Sequence, residues 1–213
     1  MKSKTRYVLI AVAAILLLSA SLSGTIMSLV EQPAYTVIRS FGDVEVRDYP
    51  PMIVAEVEVS GERKQAINAG FRLIADYIFG NNSPSKKIPM TAPVTQQAGE
   101  NIAMTAPVSQ QSAGGAWRVR FVMPLGYTLE TLPTPNNAAV KLVVVPAERF
   151  AAIRFSGLAG DEAISRHKQR LFERLAEQAL APQAEAVMAF YNPPWTLPFL
   201  RRNEILVKIQ SGE

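Results

Sequence analysis

The residues best suited to chemistry lie near the end of the chain, in the phrase Tyr191-Asn-Pro-Pro-Trp-Thr-Leu-Pro-Phe-Leu-Arg-Arg-Asn-Glu204. Tyr191, Trp195 and Phe199 are three aromatics within nine residues, set on a scaffold of Pro193, Pro194 and Pro198. Proline fixes φ and narrows the unfolded ensemble, so such a loop presents its rings at small entropic cost. Arg201 and Arg202 follow directly. This surface suits a flat apolar ligand carrying two carboxylates, with rings for the face and guanidinium forks for the acids. The competing reading is a loop that plugs one end of the fold. Its aromatics would then sit in the core, and its arginines would bond Glu204 or backbone.

Haem and related tetrapyrroles are ligands of that description. Imidazole is a common axial ligand to haem iron, which makes His167, the one histidine, the candidate. His167 lies three residues after Ile164 and four before Leu171, at the border of an apolar helical stripe. A histidine there is more often a surface residue, so ligation is not expected of it. Met90 and Met104 offer thioethers, but their strand-like surroundings favour core packing. Lys86 and Lys87 can pair with acids or simply solvate a loop.

Catalytic constellations are scarce. With one histidine and no cysteine, the chain cannot build a zinc site or a Cys/His pair. It has neither a Gly-x-Ser-x-Gly elbow nor a phosphate-cradling glycine pattern. The expectation is a protein that is not an enzyme. The absence of cysteine also excludes disulfides, thiolate ligands and a lipid-modified cysteine. The net charge of +4 suggests a nucleic-acid partner until its placement is considered. Lys2, Lys4 and Arg6 supply three of the 22 basic residues, which leaves 19 basic against 18 acidic from residue 31 onward. No basic stripe remains to grip phosphate, so nucleic acid is not expected.

Those three cations precede Tyr7–Val30, a run of 24 residues without a charge, which Glu31 closes. At the rise of an α-helix such a run reaches about 36 Å, enough to span a bilayer. Cations on the N-terminal side favour a cytoplasmic N-terminus and a domain on the far side of the membrane. The denser apolar part, Tyr7–Leu18, also has signal-peptide length, and Ser21-Leu22-Ser23 offers a small-x-small cleavage site. Residues 1–30 are therefore an anchor or a signal peptide, and either exports the domain at 33–213.

The domain that positions the closing phrase overlays itself when shifted by 96 residues. Val44, Val46, Pro50, Val57, Val59, Ser60 and Gly61 fall on Val140, Leu142, Pro146, Ile153, Phe155, Ser156 and Gly157. Each copy reads strand, turn, strand, Ser-Gly, helix and a further strand. Ile53, Ala55, Val57 and Val59 alternate with Glu56 and Glu58, as a half-buried strand requires. Ile67, Phe71, Ile74 and Ile78 make one apolar stripe of a first helix near 62–79, which Ser60 helps to start and Gly80-Asn-Asn ends. Ile164, Lys168, Leu171 and Leu175 repeat that spacing in a second helix near 161–180. Between the copies, Ile88–Thr95, Ile102–Ser109 and Trp117–Met123 read as a meander, with Pro93 and Pro107 marking edge or bulged strands. The expected fold is α+β: a distorted β-barrel from a duplicated strand-strand-helix-strand unit, with two flanking helices.

Two eight-residue phrases fourteen residues apart, Met90-Thr-Ala-Pro-Val-Thr-Gln-Gln97 and Met104-Thr-Ala-Pro-Val-Ser-Gln-Gln111, complete the motif set. Together with the closing phrase they resemble the SOUL haem-binding protein family, over about residues 33–210. The resemblance implies a distorted barrel with two helices, and haem or another tetrapyrrole as ligand and partner, bound without catalysis by a buffer, carrier or sensor. It also implies that the first helix and the closing loop bracket the ligand. That makes Asn68, Phe71 and Arg72 wall positions beside Tyr191, Trp195, Phe199, Arg201 and Arg202, with no shared axial histidine. The alternatives are a pigment-free interaction module of the same fold, or a small-molecule hydrolase or effector-binding domain.

Overall fold

A computed structural model describes residues 31–84, 87–89, 91–98, 116–193 and 195–210. The membrane or signal segment at 1–30, Lys86, Met90, Pro194 and the whole second Met-Thr-Ala-Pro-Val phrase lie outside the described residues. Among those described, no helix is long and apolar enough to cross a membrane.

The largely exposed β1 (Thr36–Phe41) comes first, and alternating apolar residues form β2 (Val44–Tyr49) and β3 (Met52–Ser60). Helix α1 (Arg63–Ile78), the short β4 (Asn82–Ser83), β5 (Val94–Ala98) and β6 (Ala116–Val122) follow. The second half runs through β7 (Thr134–Pro135), β8 (Lys141–Val145), β9 (Glu148–Phe155), α2 (Asp161–Glu177), β10 (Val187–Phe190) and β11 (Asn203–Lys208). One 3-10 turn, Pro198–Leu200, lies in the closing loop.

Nine strands make one curled half-barrel in the order β1-β2-β9-β11-β10-β5-β6-β3-β8, every pair antiparallel. Leaving β1 aside, exchanging β2, β3, β5 and β6 for β8, β9, β10 and β11 reverses this order without changing it. The pairing register follows the same exchange. A shift of 96 residues carries the Met52–Val145 pair of β3 and β8 onto the Glu148–Tyr49 pair of β9 and β2.

One face of the sheet carries both helices. Ala55, Val57, Val119 and Phe121 pack with Ile74, Tyr77 and Ile78 of α1. Val44, Val46, Ala151, Ile153, Ile205 and Val207 pack with Leu171 and Leu175 of α2. The alternate residues of the same strands face the other way and include a cross-strand ladder. Glu56 accepts from Arg120 at 2.5 Å and lies 3.4 Å from Arg118, whose far nitrogen donates to Glu58 at 3.3 Å. The split of β3 into an apolar and an acidic side is thus explained by what each side meets.

Three local expectations change. The buried face of α1 centres on Ala66, Gly70, Ile74 and Tyr77, while Phe71 turns outward to 36 % exposure with its ring 5.3 Å from Phe121. The helix rotates because Gly70, lacking a Cβ, admits the Val119 side chain. Ser60 is exposed and does not cap α1, whose N-cap is Glu62, without a side-chain capping bond. Pro93 precedes β5 instead of sitting inside a strand, which spares the ladder a missing donor. The end of α1 follows expectation: Gly80 takes φ +118°, and Asn81 N–H reaches back to Asp76 O at 3.0 Å.

Gly70 supplies a direct test of this packing. A Cβ built there lies 2.6 Å from Val119 Cγ2 and 2.8 Å from its Cβ. Gly70→Ala should therefore destabilise the fold by about 1–3 kcal/mol through overpacking. That outweighs the gain of about 1 kcal/mol in helix propensity. The denaturant midpoint should fall at unchanged slope; a rise would show that α1 stands further from β6.

Candidate functional site

The closing phrase divides into an inward and an outward half. Tyr191 follows directly on β10 and Glu204 lies in β11, so the ladder fixes both on the face opposite the helices. Tyr191 is buried and its hydroxyl donates to Glu204 Oε2 at 2.8 Å. Arg47 of β2 donates to the two oxygens of the same carboxylate at 2.7 and 3.2 Å, and to Glu45 at 2.7 Å. Arg202 donates to Glu204 Oε1 at 2.7 and 2.9 Å and lies 3.9 Å above the Tyr191 ring. Tyr35 closes the cluster, with Arg47 4.4 Å over its ring and the Tyr49 ring 5.3 Å away.

Glu204 is 1 % exposed and Arg47 2 % exposed, so this is a buried network with one carboxylate between two guanidinium groups. Burial alone pushes the Glu204 carboxyl up. The Arg47 hydrogen bond and charge, the Arg202 charge and the Tyr191 hydroxyl outweigh that, and the group is held below the ordinary glutamate value. Burial first, and the Glu204 charge second, push the Tyr191 hydroxyl well above its ordinary value, so it stays a donor. The set is saturated: carboxylate acceptors and arginine donors are matched within the protein.

The outward half is Trp195–Leu200. Trp195 is 81 % exposed and Phe199 71 %, flanked by exposed Leu197 and Leu200. Backbone bonds hold this segment in shape. Thr196 N–H donates to Pro193 O at 3.0 Å, Leu200 N–H to Leu197 O at 2.9 Å, and Gly157 N–H to Pro198 O at 2.9 Å. Arg201 Nε donates to Thr196 O at 2.8 Å, and Arg202 N–H to Asn192 Oδ1 at 2.6 Å. A proline-braced loop therefore presents two rings to solvent, with the half-buried Arg201 at its base.

Of the residues singled out in sequence, the structure brings Tyr191 and Arg202 together inside, and Trp195, Phe199 and Arg201 together outside. Asn68, Phe71 and Arg72 stand on the exposed flank of α1. The first turn of α1 and the closing loop share a neighbour, the segment after β9. Arg63 bonds Asp161 at 2.6 Å and Ala159 O at 3.1 Å, and Gly157 bonds Pro198. His167 is elsewhere: its ring stacks on Phe155 at 4.2 Å and 13°, and Nδ1 donates to Ala163 O at 2.8 Å. Lys87 is exposed. Arg47, Tyr49 and Tyr35 were not legible as site residues, because an arginine in an alternating strand gives no sign that its polar face is covered.

A cavity of about 380 Å³ opens beside the N-terminal strap, walled by Pro33, Pro51, Met52, Val122, Met123 and Leu129. Among the described residues that line it, the charged ones are Glu31 and Glu130. A hydrogen bond from Thr128 and backbone hold the Glu130 carboxyl below its ordinary value. These two carboxylates disfavour a dianionic ligand there. Among the described residues no group of three His, Cys, Asp or Glu can hold a metal ion.

The family model described as SOUL heme-binding protein matches residues 30–208. The chain belongs to the SOUL heme-binding family. No curated protein matches it. Among solved structures this SOUL domain is similar to the EcmrR C-terminal domain, at 10 % identity and TM-score 0.58, covering 84 % of this chain and 99 % of that one. It is also similar to a hydrolase from Listeria innocua, at 9 % identity and TM-score 0.53, covering 81 % and 94 %. At such identities the likeness is one of fold alone.

Proposed function

We propose that this SOUL domain binds haem or a related tetrapyrrole without catalysis, as a buffer, carrier or sensor, and that residues 7–30 export it and hold it at the membrane. The observation that carries the reading is the outward half of the closing loop. Trp195, Leu197, Phe199 and Leu200 are exposed together on one braced loop, and contiguous exposed apolar patches mark binding surfaces. Trp195 and Phe199 suit the face of a macrocycle, and Arg201 at the loop base suits a propionate. Arg202, committed to Glu204, acts by holding the loop. Asn68, Phe71 and Arg72 form the facing wall on α1. His167 serves as packing for Phe155 and supplies no axial bond. The palindromic strand order and the shared register support a domain built by duplication, with the closing loop as the feature that departs from the symmetry.

The same exposed rings favour a second reading, a protein-interaction module without pigment. Haemin added to the full chain separates the two: a saturable Soret shift supports the binder, and its absence leaves the interaction module. Export is tested by fusing a reporter to the C-terminus. Lys2, Lys4 and Arg6 before an uncharged run predict a reporter active outside the cytoplasm; one active only inside it contradicts export.

A further inference from the structure

Glu31, the first described residue, is fastened on two sides. Glu31 Oε1 accepts the N–H of Leu125 at 2.8 Å, and Glu31 O accepts that of Ala92 at 3.0 Å. Gln32 Oε1 accepts from Arg202 Nη1 at 3.1 Å. Residue 31 is thus tied to the 124–130 turn, and residue 32 to the base of the closing loop. The 124–130 turn exposes two leucines beside its polar Thr128 and Glu130: Leu125 is 68 % exposed and Leu129 43 %, with Val144 at 52 % lining the same cavity, the one described above. Immediately before Glu31 the sequence runs uncharged from Tyr7 to Val30, so no charged spacer separates this stretch from the fastened residue.

We infer that the face formed by Leu125, Leu129 and the cavity mouth rests on the lipid bilayer, with the two leucines reaching the headgroup–acyl boundary. The inference rests on the reading of residues 7–30 as a retained anchor. A chain leaving the membrane at residue 30 and tied to Leu125 at residue 31 holds that turn within a residue or two of the lipid. Exposed leucines in that position lose water on contact with lipid, whereas in a freely dissolved domain they stay hydrated. The acidic rim of Glu31 and Glu130 selects the lipid: these carboxylates are repelled by anionic headgroups and tolerate zwitterionic ones. The partner is therefore a phosphatidylcholine-like surface.

The absence of native cysteine makes the test clean. The full chain carrying Leu125→Cys, Leu129→Cys or Glu173→Cys is labelled with a small fluorophore and reconstituted into phosphatidylcholine vesicles with brominated acyl chains. Glu173 lies on the exposed side of α2 and serves as the solvent-facing control. The expected result is co-flotation with the vesicles, and quenching severalfold stronger at positions 125 and 129 than at 173. Co-flotation with equal quenching at all three positions overturns the inference and leaves the anchor intact. Shielding of 125 and 129 from an aqueous quencher without lipid quenching overturns it too, because a second copy or another protein then covers the face. Failure to co-float removes the anchor, and the inference with it.

Discussion

Glu204→Ala lowers the unfolding free energy by about 3–5 kcal/mol, the effect of leaving a buried guanidinium group unpaired. Two cations depend on this carboxylate. Arg47 is 2 % exposed, and burial alone would favour its neutral form, but the hydrogen bond and charge of Glu204 hold it protonated. Arg202 makes two contacts of 2.9 Å or less to the same group. Against a total stability of about 5–15 kcal/mol, the loss is a large fraction, and the variant unfolds at far lower denaturant. Glu204→Gln keeps the shape and an acceptor for Tyr191 but removes the charge, so it should fall between wild type and alanine. The same network sets a pH dependence. Because the folded carboxyl is held below the ordinary glutamate value of 4.5, its stabilisation is present above that pH and is lost as pH falls through the lower folded value. Denaturant midpoints measured from neutrality downward should show this component in wild type and not in Glu204→Gln. An alanine variant as stable as wild type would mean that the carboxylate and its arginines are not packed together.

Trp195→Ala has the opposite profile: little change in stability and a large change in haem affinity. A side chain 81 % exposed contributes little to folding, so the stability change should stay within about 0.5 kcal/mol. Contact with a macrocycle buries that ring, and its removal should weaken haem binding by about 1–3 kcal/mol, roughly 5- to 150-fold. Arg201→Ala should weaken binding less, since a partly solvated charge-assisted contact is lost. Arg202→Ala is the wrong probe of the ligand, because it also disturbs Glu204.

Much of this fold is legible in the sequence. The period-two runs of β2, β3 and β9, the two helices and the Gly80 stop follow from local pattern, and the 96-residue shift anticipated the matching registers. The rotation of the α1 face towards Ala66 and Gly70, with Ile74 and Ile78 still buried, was not readable. Phe71 and Gly70 are adjacent in sequence, and hydrophobicity ranks them opposite to their burial; only the close approach of Val119 decides the matter. In the site, the sequence offered both fates for the closing phrase, ligand surface or internal plug, and the two coexist. Tyr191 and Arg202 go in because β10 and β11 carry them to the face where Arg47 waits. Trp195 and Phe199 stay out because Pro193, Pro198 and the 157–198 bond hold their segment away from the core. A strand arginine 157 residues from its carboxylate partner leaves no local trace, so the Arg47–Glu204 pair was invisible to pattern.

The measurement that bears most directly on the pigment-binding reading is a haemin titration, followed by Soret absorbance, of wild type, Trp195→Ala and His167→Ala side by side. Wild type should saturate in the micromolar range, about −8 kcal/mol. Trp195→Ala should shift the curve by at least about fivefold. His167→Ala should superpose on wild type within a few-fold, its ring being stacked on Phe155 and not on the closing loop. Loss of the Soret shift in His167→Ala with an unchanged Trp195→Ala curve would place the pigment on α2 and contradict the closing-loop site.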